Sequence, residues 1–281
     1  MPSTHDAFPP NRHRAGAAAS GSRPVLRRRL APEPFAEAAD RSRFCASFGA
    51  ALAVIAVVLG RSGAVDPRGT LAVLGFALLF AVLAIGLALW AAVVIWRTGR
   101  RGTARALASL VIAAAVLAYP AYLASVAARL PAISDVSTDP AAPPPFSSSP
   151  AAVRARGGVP HGEPSAEARD AGHRAYPGLQ PVMLDLSGEE AYDLVLKAVQ
   201  AHGWRVVEAV PPEGKLGAGH IDAVAPTRVM ALPEDVAIRI RPAAGQTRVD
   251  IRSASRFGRS DAGENAARIQ SLSDELQDAA S

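Results

Sequence analysis

The feature that most constrains the fold of this chain is a set of three apolar runs that contain no charged residue. They cover residues 44–60, 71–96 and 106–128. A helix needs about 20 residues to cross a hydrocarbon core of about 30 Å. The second and third runs reach this length, and the first reaches it if the helix continues past Arg61, whose long side chain can extend to the interface. The sequence therefore predicts three transmembrane helices within residues 44–128.

The positions of the arginines predict the orientation of these helices. Positive charge on short loops resists translocation, so cytoplasmic loops are enriched in arginine and lysine. Among the arginines within about 20 residues of a run, nine lie before the first run or between the second and third, and three lie on the other side: Arg27, Arg28, Arg29, Arg41, Arg43, Arg97, Arg100, Arg101 and Arg105 against Arg61, Arg68 and Arg129. We therefore expect a multi-pass protein of the cell inner membrane with a cytoplasmic N-terminus and, after Arg129, a periplasmic C-terminal domain.

The segments on either side of the apolar runs lack the pattern of a folded domain. Residues 1–43 are rich in Pro, Ala, Arg and Ser without apolar periodicity, which predicts a disordered cytoplasmic tail. Residues 129–174 contain a run of three prolines and a run of three serines, which predicts a Pro-rich linker. We expect His161 and His173 in this linker to be solvated, because neither has a second metal ligand at helical spacing.

Charge and cysteine content exclude several classes of protein. The formal net charge is +5, but the arginines cluster beside the apolar runs, where they set topology rather than bind nucleic acid. The single cysteine, Cys45, can form neither an intramolecular disulfide nor a zinc site. Few polar groups interrupt the runs, which favours an anchor over a conduit. Small side chains at Ala84, Ala88 and Ala92 favour close helix packing or self-association in the lipid bilayer.

Residues 175–281 have the pattern of a small α+β domain. Ser187 and Glu190 form a capping box that begins one helix, which Gly203 ends. A second helix begins at Asp261, whose side chain is placed to cap it while Glu264 reaches back. Alternating apolar and polar residues predict strands at residues 179–186, 204–210, 216–225, 234–241 and 246–255. The expected fold is a three-helix transmembrane segment followed by a domain with an antiparallel sheet and two helices.

The turn between the last two predicted strands determines which residues face each other. A four-residue turn at residues 242–245 would pair Asp235 with Arg252. This pair would place the Asp235 carboxylate beside Arg252, which is the first residue of a closely spaced polar signature.

This signature runs from Arg252 to Arg268 in the order Arg-Ser-x-Ser-Arg-x-Gly-x-Ser-Asp-x-Gly-x-Asn-x-x-Arg. It is similar to the signature of the family known as domain of unknown function 1499 (DUF1499). Residues 133–146 resemble a segment that precedes the domain in membrane-anchored bacterial members, so the resemblance covers about residues 133–276. The family has no established activity, so the resemblance implies architecture but no reaction.

Two interpretations of the signature remain open. Hydroxyl groups, guanidinium groups and free N–H groups at a helix start are the components of an anion- or partner-binding site. Its candidate residues are Arg252, Ser253, Ser255, Arg256, Gly258, Arg259, Ser260, Asp261 and Asn265. The alternative is structural: Asp261 caps the helix, Gly258 permits a tight turn, and the arginines pair with Asp235 or Glu234 to fasten strand to loop.

The sequence leaves two functions to compare. The first is an uncharacterised envelope module that binds an anionic ligand or an envelope protein. The alternative is a hydrolase-like enzyme that uses Asp235 and a serine of the basic loop. His202 and His220 are not near a nucleophile-elbow pattern, and the sequence has no phosphate loop, dinucleotide fingerprint or metal-ligand cluster. We therefore predict no catalytic residue, no cofactor and no metal, and the first function is preferred.

Overall fold

The computed structural model describes residues 35–158, 161–213, 217–243 and 245–280. Residues 1–34 of the predicted disordered tail lie outside this description. The rest of that predicted tail, residues 35–43, differs from the expectation, because α1 already begins at Glu37. Glu37 and Asp40 occupy its first turn, where carboxylates interact favourably with the helix dipole.

In chain order, the helices and strands of the described residues are as follows: α1 (Glu37–Ser62), α2 (Pro67–Thr98), α3 (Thr103–Ala127), β1 (Asp135–Ser137), α4 (Pro150–Ala155), α5 (Ala166–Ala175), β2 (Val182–Leu184), α6 (Gly188–Ala201), β3 (Arg205–Val210), β4 (Gly219–Pro226), β5 (Pro233–Ala243), β6 (Gln246–Ser255) and α7 (Glu264–Ala280). The α+β fold class predicted from the sequence is confirmed.

Helices α1, α2 and α3 are long and apolar enough to cross a membrane. They contact one another through small residues, and Ala46, Ala81, Ala84 and Ala113 are buried among them. At one end of the bundle, Arg105 of α3 forms an ion pair with Asp40 of α1. The three helices are those of a membrane-associated protein, and the alanines at 84 and 88 pack inside the bundle of this chain.

The strands form one antiparallel sheet in the order β1-β6-β5-β4-β3, and β2 pairs with the other half of β6. One face of the sheet is apolar and packs against α6 and α7, with Ile221, Ile238 and Ile251 fully buried there. The capping box at Ser187 begins α6 as predicted. The opposite face carries charged residues, and this face positions the candidate site.

The β5–β6 hairpin is tighter than the sequence suggested. Strand β5 continues to Ala243, which pairs with Gln246, so the turn contains two residues rather than four. Gly245 has φ +87°, a conformation that two-residue hairpin turns require and that glycine adopts without strain. The register is therefore displaced, and Asp235 faces Ala254 instead of Arg252.

Residues 129–174 do not form the expected linker. They contain β1, α4 and α5, and β1 extends the sheet by pairing with β6. The prolines at 143–145 belong to an extended segment that lies over the charged face of the sheet, where the Pro144 carbonyl accepts a hydrogen bond from Arg252. We call residues 138–158 together with 161–162 the covering segment. The folded domain thus begins near Ile133 rather than near residue 175.

The domain contacts the ends of the long helices directly. At the end of α1, Arg61 donates hydrogen bonds to the carbonyls of Arg228 and Val229, each at 3.2 Å. Gly60 lies so close to the Met230 carbonyl that a Cβ atom there would be 2.3 Å from the oxygen. The loop between β4 and β5 is therefore seated on α1.

Candidate functional site

Three aspartates on the charged face of the sheet are completely buried. Asp222 on β4, Asp235 on β5 and Asp250 on β6 are each 0% exposed. A buried carboxylate is costly unless it is paired and hydrogen-bonded, so each of them needs cationic neighbours. The side chains of this face, together with the residues of β1 and of the covering segment that contact them, are called the charged layer below.

Asp250 is surrounded by three arginines. It accepts hydrogen bonds from Arg239 at 2.9 Å, Arg241 at 2.8 Å and Arg248 at 2.7 Å. Asp139 of the covering segment accepts from Arg248 at 2.8 Å and from Arg239 at 3.3 Å. Two carboxylates therefore share three guanidinium groups across the boundary between sheet and covering segment.

Asp235 is paired with Arg256, as the structural interpretation of the signature allowed, and with His161, which was not predicted. Arg256 donates to both of its carboxylate oxygens, at 2.6 and 3.0 Å, and His161 Nε2 lies 2.6 Å from Oδ2. Burial raises the pKa of Asp235, but hydrogen bonds from His161 and Arg256 outweigh burial and hold the pKa below its ordinary value. His161 is therefore not the solvated linker histidine that we expected: its side chain is 11% exposed.

Arg252 is bound by β1 and by the covering segment instead of by Asp235. Its Nε and Nη2 atoms donate to Asp135 at 2.9 and 2.6 Å, and Nη2 also donates to the Gly162 carbonyl at 2.7 Å. Its guanidinium carbon lies 4.7 Å from the centroid of the Phe146 ring. The predicted Asp235–Arg252 pair is therefore wrong, because the displaced hairpin register places Arg252 opposite Ala237.

Asp222 lies where the sheet meets α4. Its Oδ2 accepts from Arg156 at 2.5 Å and from the Ser147 N–H at 2.9 Å. Glu208 of β3 and His220 of β4 stand beside it, and the donor atoms of these three residues all lie within 4.8 Å of one another. A hydrogen bond from Ser147 lowers the pKa of Glu208. Sequence analysis predicted no metal site, because no spacing rule connects Glu208 to His220.

The other residues of the signature form a network at the edge of the apolar face. Ser253 Oγ donates to the Asn265 side-chain oxygen at 2.7 Å, and Ser255 Oγ donates to Glu234 at 2.7 Å. Arg268 donates to Ser253 at 2.9 Å, to Asn265 at 2.7 Å and to Glu234. Burial raises the pKa of Glu234 despite the neighbouring Arg268. These contacts fasten β5 and β6 to α7.

The loop between β6 and α7 satisfies its own helix start. Asp261 accepts from the N–H groups of Gly263 at 3.0 Å and Asn265 at 2.7 Å. Glu264 does not reach back as predicted, because its carboxylate accepts from the Arg228 N–H at 2.6 Å. The Ser260 hydroxyl accepts from the Ala262 N–H at 3.3 Å. Two N–H groups that an anion could have used are therefore already bound by a carboxylate.

Arg259 differs from the other arginines of the signature. Gly258 before it has φ +88°, which makes a tight turn and places Arg259 at the exposed tip of the loop. Within the described residues, Arg259 has no hydrogen bond or ion pair, whereas Arg252, Arg256 and Arg268 each contact a carboxylate. Of the predicted anion-binding residues, Arg259 is thus the cation that remains available to a ligand.

Several residues of the charged layer were missed because they lie in the segment that looked like a linker. They are Asp135, Asp139, Phe146 and Arg156, and His161 was assigned to solvent. The one available signal was the resemblance of residues 133–146 to a segment that precedes DUF1499 domains. It did not reveal that the segment covers the sheet.

Comparison with known proteins identifies a family for the domain. The family model described as a protein of unknown function (DUF1499) matches residues 135–276, which include β1 and most of α7. No curated protein matches the chain.

Proposed function

The chain belongs to the DUF1499 family, and from its own residues we propose that it is a membrane-anchored module of the cell envelope that binds an anionic partner. The family description assigns no activity. The proposal therefore depends on two properties of the molecule: the three long apolar helices and the exposed arginine at the tip of the β6–α7 loop.

The arrangement of arginines around the helices supports a definite topology. Arg100 and Arg101 lie between α2 and α3, and among the arginines near the apolar runs the predicted cytoplasmic side carries nine against three. In the proposed topology the helices span the inner membrane, the N-terminus is cytoplasmic and the DUF1499 domain is periplasmic. The domain would then meet ligands of the envelope rather than of the cytoplasm.

The single observation that carries the binding function is the contrast between Arg259 and its neighbours. A guanidinium group that already donates to a carboxylate has fewer N–H donors left for a second anion. Arg259 has no such partner among the described residues and is held by a short turn instead of a long flexible loop. It therefore retains the full donor capacity of an arginine for a phosphate or carboxylate group.

The loop that carries this arginine also lies near the ends of the membrane helices. The Asp261 N–H donates to the Ile133 carbonyl at 3.3 Å, shortly after the end of α3. At the start of α7, Glu264 accepts from Arg228, whose carbonyl contacts Arg61 at the end of α1. A partner bound here would carry its anionic group at the membrane surface.

The hydrolase alternative is less well supported by the geometry. It requires a serine hydroxyl in contact with a general base. Ser253 Oγ donates to Asn265 and Ser255 Oγ donates to Glu234, so neither hydroxyl is directed at His161 on Asp235. Both serines serve the network that fastens β6 to α7.

Binding is tested on the full-length protein in an uncharged detergent by isothermal titration calorimetry. The probes are inorganic phosphate, glycerol 3-phosphate and muramic acid, which offer phosphate and carboxylate groups. We expect saturable binding of at least one probe and a loss of about tenfold to hundredfold in affinity for Arg259→Ala, because a hydrogen bond to a charged group contributes about 1.5–3 kcal/mol.

Arg174→Ala is the matched control, since Arg174 is an exposed arginine on α5 of the same domain. It should bind the probe as the parent does. If Arg259→Ala binds like the parent, or if no probe binds the parent, the anionic-partner function is rejected, and the signature serves only to fasten the last strand to the last helix.

A further inference from the structure

The open edge of the sheet brings together three side chains with metal-ligand chemistry. Strand β3 is an edge strand, and its Glu208 pairs directly with Asp222 of β4. His220 lies two residues before Asp222, so both side chains project from the same face of the strand. Strand pairing thus places one imidazole and two carboxylates together, with all three donor atoms within 4.8 Å of one another.

Two atoms of this group are buried without a hydrogen bond. Asp222 is 0% exposed, and its Oδ2 is occupied by Arg156 and by the Ser147 N–H. Among the described residues, neither Asp222 Oδ1 nor His220 Nε2 has a hydrogen-bond partner. The contact of these two atoms is with each other, at 2.8 Å, and it is an ion pair only when the imidazole is protonated. A cation held between them would satisfy both atoms with the imidazole neutral.

The distance between these atoms fits a shared cation. His220 Nε2 and Asp222 Oδ1 are 2.8 Å apart, although the imidazole makes no hydrogen bond to that oxygen. Two donors each about 2.1 Å from a metal ion lie about 3.0 Å apart at a right angle and about 3.4 Å apart at the tetrahedral angle. The observed separation is close to the right-angle value, which is typical of six-coordinate ions that retain water molecules.

We propose that Glu208, His220 and Asp222 form a binding site for a divalent first-row transition-metal ion such as Zn²⁺ or Mn²⁺. Imidazole nitrogen and carboxylate oxygen suit such ions, whereas Ca²⁺ and Mg²⁺ favour all-oxygen sites. The two carboxylates and Arg156 leave a formal charge of −1 for the ion to neutralise. Arg156 acts as a positioning residue, because it holds Oδ2 and thereby turns Oδ1 toward His220.

Solvent can reach this site from the edge of the sheet. The His220 side chain is 21% exposed, and Glu208 is partly exposed. An ion can therefore enter without unfolding of the covering segment, and water molecules can complete its coordination. Glu208 lies next to the irregularity in the β3–β4 pairing, and a hydrogen bond from Ser147 holds its carboxylate beside the other two ligands.

The test uses the full-length protein in detergent after treatment with a chelator and dialysis. Isothermal titration calorimetry with ZnCl₂ and with MnCl₂ should show one site for at least one of the two ions, and that ion should raise the unfolding temperature. His220→Gln and Glu208→Gln should each lower the affinity by more than the roughly 10- to 100-fold that loss of an outer-shell partner costs.

His202→Gln is the matched control. His202 Nε2 lies 2.7 Å from the Glu275 carboxylate, so it reproduces the imidazole–carboxylate contact outside the proposed site. This variant should bind the ion as the parent does. The proposal is overturned if the parent binds neither ion saturably, or if Glu208→Gln, whose partly exposed side chain can be replaced without loss of the fold, binds the ion with the parent's affinity.

Discussion

Arg252 shows how single side chains hold the charged layer together. It is 1% exposed and contacts Asp135, two backbone carbonyls and the Phe146 ring. Arg252→Ala leaves Asp135 and both carbonyls without their donor, so we predict a loss of about 3–5 kcal/mol in the free energy of unfolding. The measurement is denaturant unfolding of the full-length protein in detergent.

Arg259→Ala is the comparison for this substitution. Arg259 is exposed and unpaired within the described residues, so its removal should change the free energy of unfolding by less than about 0.5 kcal/mol. Equal stability of the two variants would show that Arg252 is not held as described.

The pH dependence of stability provides a second test at the scale of single residues. Because the pKa of Asp235 is lowered in the folded protein, its ionisation stabilises the fold above the pKa of the unfolded carboxyl, about 3.9. That stabilisation is lost as the pH falls through the lower folded pKa. We predict that Asp235→Asn has a lower unfolding temperature than the parent at pH 7. We also predict that its unfolding temperature falls less than that of the parent as the pH is lowered into the acid range.

Asp193→Asn is the control for the acid profile, because Asp193 is exposed on α6. It should follow the parent at every pH. If the unfolding temperature of Asp235→Asn falls with pH as steeply as that of the parent, the loss of stability in acid is due to other carboxylates.

At the scale of elements, the covering segment is the part of the fold that was not predicted from the sequence. Pro- and Ser-rich composition is typical of linkers, but here a segment of this composition packs as a layer over the charged face. Its Arg156 binds the buried Asp222, and its His161 contacts the buried Asp235. A sheet with one charged face cannot bury that face against helices. The covering segment packs on that face instead, and the family match, which begins at residue 135, includes it.

A fragment comparison tests this role. We predict that residues 131–280 fold cooperatively and that residues 175–280 do not, because the shorter fragment lacks β1, Asp135 and the partners of Asp222 and Asp235. Near-ultraviolet circular dichroism and denaturant unfolding distinguish the two outcomes. A shorter fragment that unfolds as cooperatively as the longer one would mean that the covering segment is dispensable.

The strands and helices were predictable where one local rule determined the structure. Alternation located β3 to β6, and the Ser187–Glu190 capping box marked the start of α6. The pairing of Asp235 was not predictable, because a period of two residues fits both a two-residue and a four-residue turn. The same ambiguity hid the Glu208–Asp222 pair, since cross-strand neighbours depend on register and on the bulge in β3–β4.

At the scale of the whole molecule, the domain and the long helices are joined by direct contacts. The β4–β5 loop rests on the end of α1 through Arg61 and Gly60, and Gly263 lies against Leu130 after α3. The exposed Arg259 therefore lies on a loop that is held close to the ends of the long helices. The proposed function requires that this surface face the envelope and not the cytoplasm.

Membrane topology is the most direct test of this requirement. A reporter that is active only outside the cytoplasm is fused after Ser281 in one strain and within the loop of residues 99–102 in another. The periplasmic location of the domain predicts that the first fusion is active and the second is silent. The reverse pattern, or activity of both fusions, would contradict the three-span arrangement with a cytoplasmic N-terminus.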